Sequence, residues 1–365
     1  MLKLKKSITG IYKKIIYFIF KLIYGKIQKS IDANQVPDLQ IKKVLLDKNN
    51  YLIYFCDKTK LYTDRIHDTA VIKEDKIING PSFQYRDNKN VDCEQNIVFS
   101  KGTPRIKRKI NGRIFSLLTG GGGNTNYWHW LLDVLPRLEI LEKSNSDHSD
   151  IDYYLFPNLD EQFQNESLDI LNISKNKRLS SKDFRHIFAD QIIVTSHPYN
   201  ILNDPLSDSL NIPGWILTYL KNNFLNKNLK ENNTKFPRRV YINRKDGRSH
   251  RFIINESEVL KILKKHDFAS ITLSNYSFSD QIQLFNNADY VAGLHGAGFV
   301  NTIFCNPGTK VLEFKSSTAG DAIKNIVLQN KLIYKDLSSE NKTFKYNNQY
   351  GDIEIDLDLL KSILI

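Results

Sequence analysis

The second half of the chain alternates short apolar runs with longer segments that repeat apolar residues at helical spacing. Runs such as 239–243 and 290–293 are apolar and β-branched, which is typical of buried strands, whereas 256–265 places its apolar residues three and four apart. Strands that alternate with helices are typical of a parallel, doubly wound sheet. The pattern predicts strands at 239–243, 270–273, 290–293, 310–314 and 331–334, with helices at 256–265, 279–286, 297–304 and 319–329 between them.

The first half shows a more mixed pattern. Residues 40–118 alternate short apolar runs with polar turns, which predicts several strands, some of them antiparallel. A chain of 365 residues exceeds what one core usually serves, so we expect two α/β domains. The remaining predicted elements are a strand at 152–156, a helix at 160–173, a strand at 191–195, a loop at 197–213, a linker at 225–237 and a terminal helix at 355–365 that packs back on the body.

Residues 11–24 predict an amphipathic helix. The longest stretch without a charge runs from Ile15 to Phe20, far short of the roughly 20 residues that span a bilayer. At about 100° per residue the apolar side chains share one face, and most of the lysines gather opposite. The pattern indicates a helix that lies in the plane of an anionic membrane surface, or a helix that packs on the protein itself. No small-residue cleavage site follows, so export is not expected.

The formal net charge of +12 comes mostly from the N-terminal segment, because residues 1–30 hold eight lysines and no acidic residue. The body is therefore only weakly basic and contains no recognisable nucleic-acid module, so a nucleic-acid partner is not expected. The basic run 101–109 is typical of a solvated loop and receives no chemical role. Three widely spaced cysteines argue against a disulfide framework or a thiolate metal site, and a reducing compartment is the simplest explanation.

The stretch 288–301 predicts a strand that runs into a glycine-lined turn and then a helix. His295 follows the strand, which ends at Gly293, and with the small residues Gly296, Ala297 and Gly298 it allows the backbone to turn. The first amides of the following helix have no intrahelical partner, and together with the helix dipole they favour an anion. An ordinary βαβ crossover, in which the glycines only allow close packing, remains an equal alternative.

A basic cluster follows the strand at 239–243. Planar guanidinium groups bind phosphate through two hydrogen bonds and keep their charge, so this cluster and the amides after Gly296 could hold a diphosphate without a metal ion. The alternative is a solvated basic loop, which is less favoured here because both features belong at the carboxyl edge of one sheet. The basic residues of the cluster are Arg244, Lys245, Arg248 and Arg251.

The stretch 119–138 predicts a glycine-rich strand and then a helix that Asn126 caps. His129 and Asp133 are four residues apart, so both side chains lie on one helix face. The pair could deprotonate a hydroxyl group, could bind a metal ion with further ligands that the local sequence does not show, or could form an ordinary polar helix face. Pro136 should kink or end the helix.

Together these stretches resemble glycosyltransferase family 61, the group that includes bacterial capsular polysaccharide biosynthesis proteins and eukaryotic xylosyl- and N-acetylglucosaminyltransferases. The resemblance covers about residues 115–315, and the order and spacing of its motifs are specific as a set. The matching positions are 126–133 with Pro136 and Arg137, then 244–251 with Asn255 and Glu256, then 288–298 with Asn301, Pro307, Gly308 and Glu313.

The resemblance implies a GT-B architecture, in which two Rossmann-like domains face each other across a cleft. It also implies metal-independent transfer from a nucleotide-sugar with inversion at the anomeric carbon. Glu313 would bind the ribose hydroxyls, His295 would contact phosphate or sugar, and the base would be Asp133 or, as second choice, His129, alone or as a dyad. The implied donor-binding residues are Arg244, Lys245, Arg248, Arg251, His295, Gly296, Ala297, Gly298, Asn301 and Glu313.

We therefore expect a hexosyl- or pentosyltransferase that acts on a glycan or lipid-linked glycan in capsular polysaccharide biosynthesis. It would need no cofactor or metal and would lie on the cytoplasmic face of the cell membrane. The alternatives are a non-catalytic nucleotide-sugar-binding or scaffold subunit and a phosphate-processing hydrolase. The expected parts are a membrane-associating helix at 1–30, an acceptor-side domain at 31–230, a nucleotide-sugar-binding domain at 231–340 and a tail helix at 341–365. The sugar, nucleotide, acceptor, linkage and oligomeric state stay open.

Overall fold

The chain folds into two compact units. The first unit comprises residues 1–161 and 173–205, and the second comprises 162–172 and 206–365. Most of the predicted loop 197–213 and of the predicted linker 225–237 lies outside the described residues. The computed structural model describes residues 2–86, 89–145, 150–199, 212–226, 235–247, 251–340, 342 and 351–365.

The first unit is built on one mixed β-sheet, with a long N-terminal helix and several short ones. Its strands are β1 (Lys29–Asp32), β2 (Leu39–Leu46), β3 (Asn49–Thr63), β4 (Asp68–Lys73), β5 (Lys76–Asn79), β6 (Phe83–Arg86), β7 (Lys89–Asn90), β8 (Arg108–Ser116), β9 (Gly120–Gly123), β10 (Tyr153–Phe156), β11 (Arg178–Ser180) and β12 (His186–Thr195). Its helices are α1 (Leu2–Tyr24), α2 (Ile97–Lys101), α3 (Tyr127–His129) and α4 (Arg137–Glu142).

The sheet of the first unit divides into an antiparallel and a parallel part. The strand order is β1-β5-β4-β3-β12-β8-β10-β11, and β2 adds to β3. Strands β2 to β5 pair antiparallel because two to four residues separate them, too few for a crossover connection. Strand β8 instead pairs parallel with β10 and with β12. The expectation of several strands, some antiparallel, in 40–118 is confirmed, and this unit departs from a purely parallel Rossmann sheet.

The second unit contains the predicted parallel sheet. Its strands are β13 (Arg239–Ile242), β14 (Ala269–Ile271), β15 (Tyr290–Leu294), β16 (Lys310–Ser316) and β17 (Ile333–Ser339). Its helices are α5 (Gln162–Ile170), α6 (Gly214–Leu220), α7 (Glu256–Lys265), α8 (Phe278–Asn287), a 3₁₀ helix (Ala297–Phe304), α9 (Ala322–Gln329) and α10 (Leu357–Leu364). The predicted helix at 256–265 has the observed bounds, whereas 297–304 winds as a 3₁₀ helix rather than an α-helix.

The strand order of the second sheet is β14-β13-β15-β16-β17, and all neighbours pair parallel. The first strand along the chain therefore lies between the second and the third. Connections leave β13 and β15 towards opposite sides, which opens a crevice at their carboxyl ends. Ile242 and Gly293 are register partners there, so the loops after both strands begin side by side.

Helix α5 groups with the second unit although it lies within the predicted acceptor-side domain 31–230. A carboxylate oxygen of Glu166 accepts a hydrogen bond from the backbone amide of Phe278, at the start of α8 (2.6 Å). The chain terminus joins the same unit, because the side chain of Asn255 exchanges two hydrogen bonds with the backbone of Ile355. Leu360 and Leu364 of α10 are then buried in the core of this unit.

Helix α1 packs on the first unit through the side chains near its end. The Lys21 ammonium group donates a hydrogen bond to the carbonyl oxygen of Ser100 (2.6 Å), and the Tyr24 ring meets the His186 ring edge-on at 5.0 Å. Among the described residues, the helices all lack either the length or the apolar character that crossing a bilayer requires.

His186 is a buried histidine under the end of α1. It is 1% exposed, lies between the rings of Tyr24 and Tyr62, and its Nδ1 donates a hydrogen bond to the carbonyl oxygen of Arg105 (3.1 Å). Its Nε2 is buried without a hydrogen-bond partner among the described residues. Burial lowers the pKa of His186 to about 4, because a charged ring there would lose its hydration.

We expect His186 to make folding sensitive to mild acid. The folded state binds this proton less readily than the unfolded chain, so its contribution to stability is complete above about pH 6.5 and is lost as the pH falls towards 4. The free energy of unfolding, measured in urea, should fall by about 2 kcal/mol more between pH 7.5 and pH 5 in the parent than in His186→Phe. The exposed His67 supplies the control, since His67→Phe should keep the parent's pH dependence. Equal slopes in all three proteins would contradict this assignment.

Candidate functional site

The first candidate cluster is built on a short helix with an irregular second turn. The Asn126 side chain accepts a hydrogen bond from the Trp128 amide (3.0 Å), as predicted, and starts α3. The helix then widens into a π-turn at Trp130–Val134, in which the Leu135 amide bonds the Trp130 carbonyl oxygen (3.1 Å). Pro136 supplies no amide proton, so the predicted break occurs there and α4 begins after it. Turns of this kind are common at functional sites.

His129 and Asp133 meet on this helix. Nδ1 of His129 donates a hydrogen bond to Oδ2 of Asp133 (2.7 Å), and the Tyr199 hydroxyl donates one to Oδ1 (2.6 Å). The Asp133 side chain is 7% exposed, whereas that of His129 is 39% exposed. The carboxylate is therefore held inside the protein, and the imidazole is the member of the pair that a ligand can reach.

His197 and Tyr199 complete the cluster, and the sequence patterns gave no signal for either. They follow β12, whose Val194 is the register partner of Ser116 on the parallel strand β8. The segments after both strands therefore leave the sheet at one edge. The Nδ1 of His197 donates a hydrogen bond to the carbonyl oxygen of Tyr199 (2.8 Å), and its Nε2 lies 3.8 Å from Oδ2 of Asp133.

Arg137 links the helical segment that carries Asp133 to the end of β12. Its Nε donates a hydrogen bond to the carbonyl oxygen of Asp133 (3.1 Å), and Nη1 donates one to the carbonyl oxygen of Thr195 (3.3 Å). Burial lowers the pKa of Arg137 to about 10, so the guanidinium group stays charged at neutral pH. It therefore adds a positive charge beneath the buried carboxylate.

Gly123 lets the glycine-rich strand β9 pass close to the cluster. Its φ of +76° is unfavourable for other residues, and a Cβ atom would lie 2.5 Å from Cγ2 of Val134. Its neighbour Gly122 lies beside Asp133 and His129 with room for an ordinary contact. The strand thus closes one side of the pair.

The charges within the cluster set its protonation. Burial alone would raise the pKa of Asp133, but His129 and His197 lower it well below its usual range. Burial alone would lower the pKa of His129, but the Asp133 carboxylate raises it above its ordinary value. Because Nδ1 carries the proton that Asp133 accepts, the neutral ring has its lone pair on Nε2. Such a ring can accept a proton from a hydroxyl group, while Asp133 orients it.

The second candidate cluster lies at the crevice between β13 and β15. Nη1 of Arg244, which follows β13, donates a hydrogen bond to the carbonyl oxygen of His295, which follows β15 (3.3 Å). A Cβ atom on Gly296 would overlap the same guanidinium nitrogen. Gly296 has an extended backbone, so it is required here for the close approach of Arg244 and not for an unusual turn.

His295 is oriented by a buried carboxylate. Its Nδ1 donates a hydrogen bond to one oxygen of Glu313, and the Tyr334 hydroxyl donates to the other (2.6 Å). Glu313 is 0% exposed. Both oxygens of this buried carboxylate are thus bonded inside the protein, and its expected ribose contact stays a prediction. Burial, together with the negative charge of Glu313, raises the pKa of Tyr334, so the hydroxyl keeps its proton.

The other predicted donor residues are placed differently. Asn301 is fully buried, and its amide nitrogen donates a hydrogen bond to the side chain of Gln281 (3.0 Å), while its expected contact with the donor stays a prediction. Lys245 is exposed and Arg251 is buried. Arg248 lies outside the described residues. Ala297 and Gly298 are half-buried at the start of the 3₁₀ helix, where the first amides have no partner within the helix.

The described residues contain no group of three or more His, Cys, Asp or Glu side chains that could hold a metal ion. Both clusters instead share one design, in which a buried carboxylate fixes the tautomer of an imidazole. Positive charge at the second cluster comes from Arg244 and from backbone amides. Burial lowers the pKa of Arg244.

Two comparisons with known proteins place the chain. The sequence model of the family described as Glycosyltransferase 61 matches residues 127–312, which is half of the chain and includes both clusters up to the residue before Glu313. Protein O-linked-mannose beta-1,4-N-acetylglucosaminyltransferase 2 of Xenopus laevis is 34% identical over 67 residues. This stretch covers 18% of the chain and 12% of the relative, so the chain matches about an eighth of that protein's length.

We expect Asp133→Asn to lower the pKa of His129. The carboxylate supplies the attraction that raises it, and an amide does not, so the pKa should fall by about one unit or more. Titration of the imidazole protons by NMR measures this directly. Glu139→Gln, which removes a nearby carboxylate that has no bond to His129, should leave the value unchanged. An unaltered His129 pKa in Asp133→Asn would contradict the pairing.

Proposed function

We propose a reaction for this chain on the premise that it belongs to glycosyltransferase family 61 and is a glycosyltransferase. The chain transfers a sugar from a nucleotide-sugar donor to a glycan or a lipid-linked glycan. The observation that carries the proposal is the bonded pair of His129 and Asp133, because a base is what separates an enzyme from a binding subunit. The reaction also needs a site for the departing diphosphate, which the second cluster provides.

The leaving diphosphate binds at the crevice between β13 and β15. Arg244 lies there with the amides that follow Gly296, and Arg251 is the second cation that the family resemblance assigns to this role. Charge on the diphosphate grows as the glycosidic bond breaks, so groups that are already oriented stabilise the transition state most. We propose that these groups replace a metal ion in this reaction. Lys245 and Arg248 would add positive charge at the rim of the site.

His295 contacts phosphate or sugar from the same edge. Glu313 and Tyr334 hold its ring in one orientation, which is the role we assign to Glu313. A group that orients the imidazole from behind has to be buried, and Glu313 is. Asn301 supports the 3₁₀ helix through Gln281.

The base is His129, and Asp133 orients it. Asp133 has a lowered pKa, is buried and has both oxygens bonded, whereas His129 is partly exposed and has a raised pKa. Nε2 of His129 takes the proton of the acceptor hydroxyl, and the oxygen attacks the anomeric carbon. The bond to the diphosphate oxygen breaks as the new bond forms, and the configuration inverts. Asp133 stabilises the imidazolium ion that results.

Inversion requires the base and the leaving group on opposite faces of the sugar. The base belongs to the first unit and the diphosphate site to the second. We propose that the protein has the GT-B architecture that the family resemblance implies. The mixed sheet of the first unit makes it a variant of the Rossmann-like domain in that architecture.

We propose a role in capsular polysaccharide biosynthesis, on the cytoplasmic face of the cell membrane. Support for this location comes from α1, whose exposed face is apolar, and from the lysines of residues 1–30. The second candidate function is a non-catalytic nucleotide-sugar-binding subunit of a polysaccharide assembly. It shares the second cluster and would make no use of His129 as a base.

Gly296→Ala should weaken donor binding without unfolding the protein. The added Cβ atom would displace the Arg244 guanidinium group from the diphosphate site, so binding of a nucleoside diphosphate should weaken by about tenfold or more. Titration calorimetry in the presence of a chelator measures the affinity. Gly10→Ala is the control, because it makes the same change at a helical glycine outside both clusters where a Cβ atom meets nothing within 4 Å. Equal affinities in the two variants would argue against Arg244 as the diphosphate ligand.

The reaction itself is tested by release of nucleoside diphosphate from a panel of nucleotide-sugars in excess chelator, followed by mass spectrometry. We expect release from one donor, since slow transfer to water reveals the preferred sugar nucleotide. His129→Gln should lower turnover by about a hundredfold or more and keep donor affinity, as expected for loss of a general base. Asp133→Asn should lower turnover and move the acid limb of the pH profile to lower pH, since it removes the charge that raises the pKa of His129.

The two candidate functions give different outcomes in this experiment. The exposed His67 supplies the control variant His67→Gln, which should behave as the parent. Donor binding with no turnover, even with acceptor glycans added, would favour the binding subunit. Turnover that persists in His129→Gln would reject His129 as the base.

A further inference from the structure

We propose that the exposed basic segment 105–109 and the apolar face of α1 form one surface that binds an anionic lipid bilayer. The basic segment comprises Arg105, Ile106, Lys107, Arg108 and Lys109. This inference specifies how the protein would reach the membrane location given in the proposed function. Only the biological purpose of the binding rests on that function. The binding itself depends on contacts and charges of the first unit alone.

The apolar face of α1 is exposed over three turns. Its side chains recur at helical spacing, and at about 100° per residue they cover roughly 140° of the helix surface. A contiguous exposed patch of large apolar side chains marks an interaction surface rather than ordinary scatter. The members and their exposed fractions are Ile11 (59%), Tyr12 (64%), Ile15 (52%), Phe18 (63%), Ile19 (45%), Leu22 (70%) and Ile23 (60%).

The opposite side of α1 holds the helix against the protein. Tyr17, Lys21 and Tyr24 lie on that side, where Lys21 bonds the Ser100 carbonyl oxygen and Tyr24 contacts the buried His186 ring. Lys101 lies over the Tyr17 ring at 6.0 Å. These contacts fix which side of the helix points away from the body, so the apolar face has a defined direction.

The basic segment lies beside the end of this helix. The Lys107 amide donates a hydrogen bond to the Tyr24 hydroxyl (3.0 Å), and the Lys107 ammonium group lies 5.1 Å from the centre of the Tyr24 ring. All five side chains of the segment are exposed, and Ile106 is 76% exposed among four cations. An exposed apolar side chain that basic residues flank in sequence combines the two attractions that an anionic bilayer offers.

The arrangement favours a bilayer over a protein partner or a second copy. An in-plane helix sinks about 5–10 Å into the boundary between headgroups and acyl chains, so its flanks lie among the lipid phosphates. The basic segment lies beside the end of the helix, where the Lys107 amide bonds the Tyr24 hydroxyl, so its lysines and arginines can reach the headgroup region next to the helix end. A second copy seated on the same face would bring two basic segments together, and like charges would oppose that contact.

Cosedimentation with vesicles tests the proposal on the full chain. The probe is vesicles of phosphatidylcholine mixed with phosphatidylglycerol, compared with phosphatidylcholine alone. We expect the parent to bind the mixed vesicles only. Two double variants should each weaken binding by about tenfold or more. The α1 variant is Phe18→Glu with Leu22→Glu, and the basic-segment variant is Ile106→Asp with Lys109→Glu. The matched control is Leu45→Asp with Lys48→Glu, which introduces the same two side chains at the same spacing, at exposed positions near the end of β2 and in the turn after it, and should bind as the parent does.

Each other outcome overturns the proposal. If the basic-segment variant binds vesicles as the parent does, and its unfolding transition matches the parent's, the basic segment is not part of the membrane-binding surface. A dimer of the parent without vesicles, which the α1 variant abolishes, would make the face a protein interface. Release of nucleoside diphosphate from a soluble donor should be unaffected by both variants, so loss of catalysis and loss of membrane binding are read separately.

Discussion

The buried carboxylate of Asp133 is the constraint on which the first unit's chemistry depends. A charge with so little exposed surface is tolerated only when hydrogen bonds and opposite charges replace its hydration. His129 and Tyr199 bond its two oxygens, and Arg137 lies beneath it. These partners come from one helix and from the segment after β12, so the carboxylate can be satisfied only when the sheet is assembled. The same bonds that make the burial tolerable also orient the imidazole.

The second unit repeats this design with a different balance of exposure. Glu313 is wholly buried and holds His295, whose side chain is 10% exposed, while the side chain of His129 is 39% exposed. A ring that contacts a bound phosphate needs a fixed position more than access, whereas a base has to meet an incoming hydroxyl group. The difference in exposure therefore agrees with the two roles proposed. In both clusters the carboxylate is part of the protein interior, and the histidine is the group that we propose meets the ligand.

Glycines near the two clusters serve different physical purposes. Gly123 has a left-handed backbone and leaves no space for a side chain next to Val134. Gly296 has an extended backbone and is needed because Arg244 lies against it. From the sequence, Gly296 looked like a turn residue, and the reason for it appears only with the neighbouring strand in place. Arg244 and His295 are 51 residues apart in the chain, and the strand order alone makes them neighbours.

The sequence by itself determined what short-range forces control. Apolar periodicity predicted the parallel sheet of the second unit and the bounds of α7. Asn126 predicted the start of α3, and the spacing of four residues predicted that His129 lies beside Asp133. Only the tertiary structure decided the remaining partners, because strand order brings together residues that no local pattern links. It added His197 and Tyr199 to the first cluster through the parallel pairing of β8 with β12. It also buried Glu313 and Asn301, to which the family resemblance assigns contacts with the donor. A polar residue at a strand end or on a helix face looks the same in sequence whether it faces solvent or a buried partner.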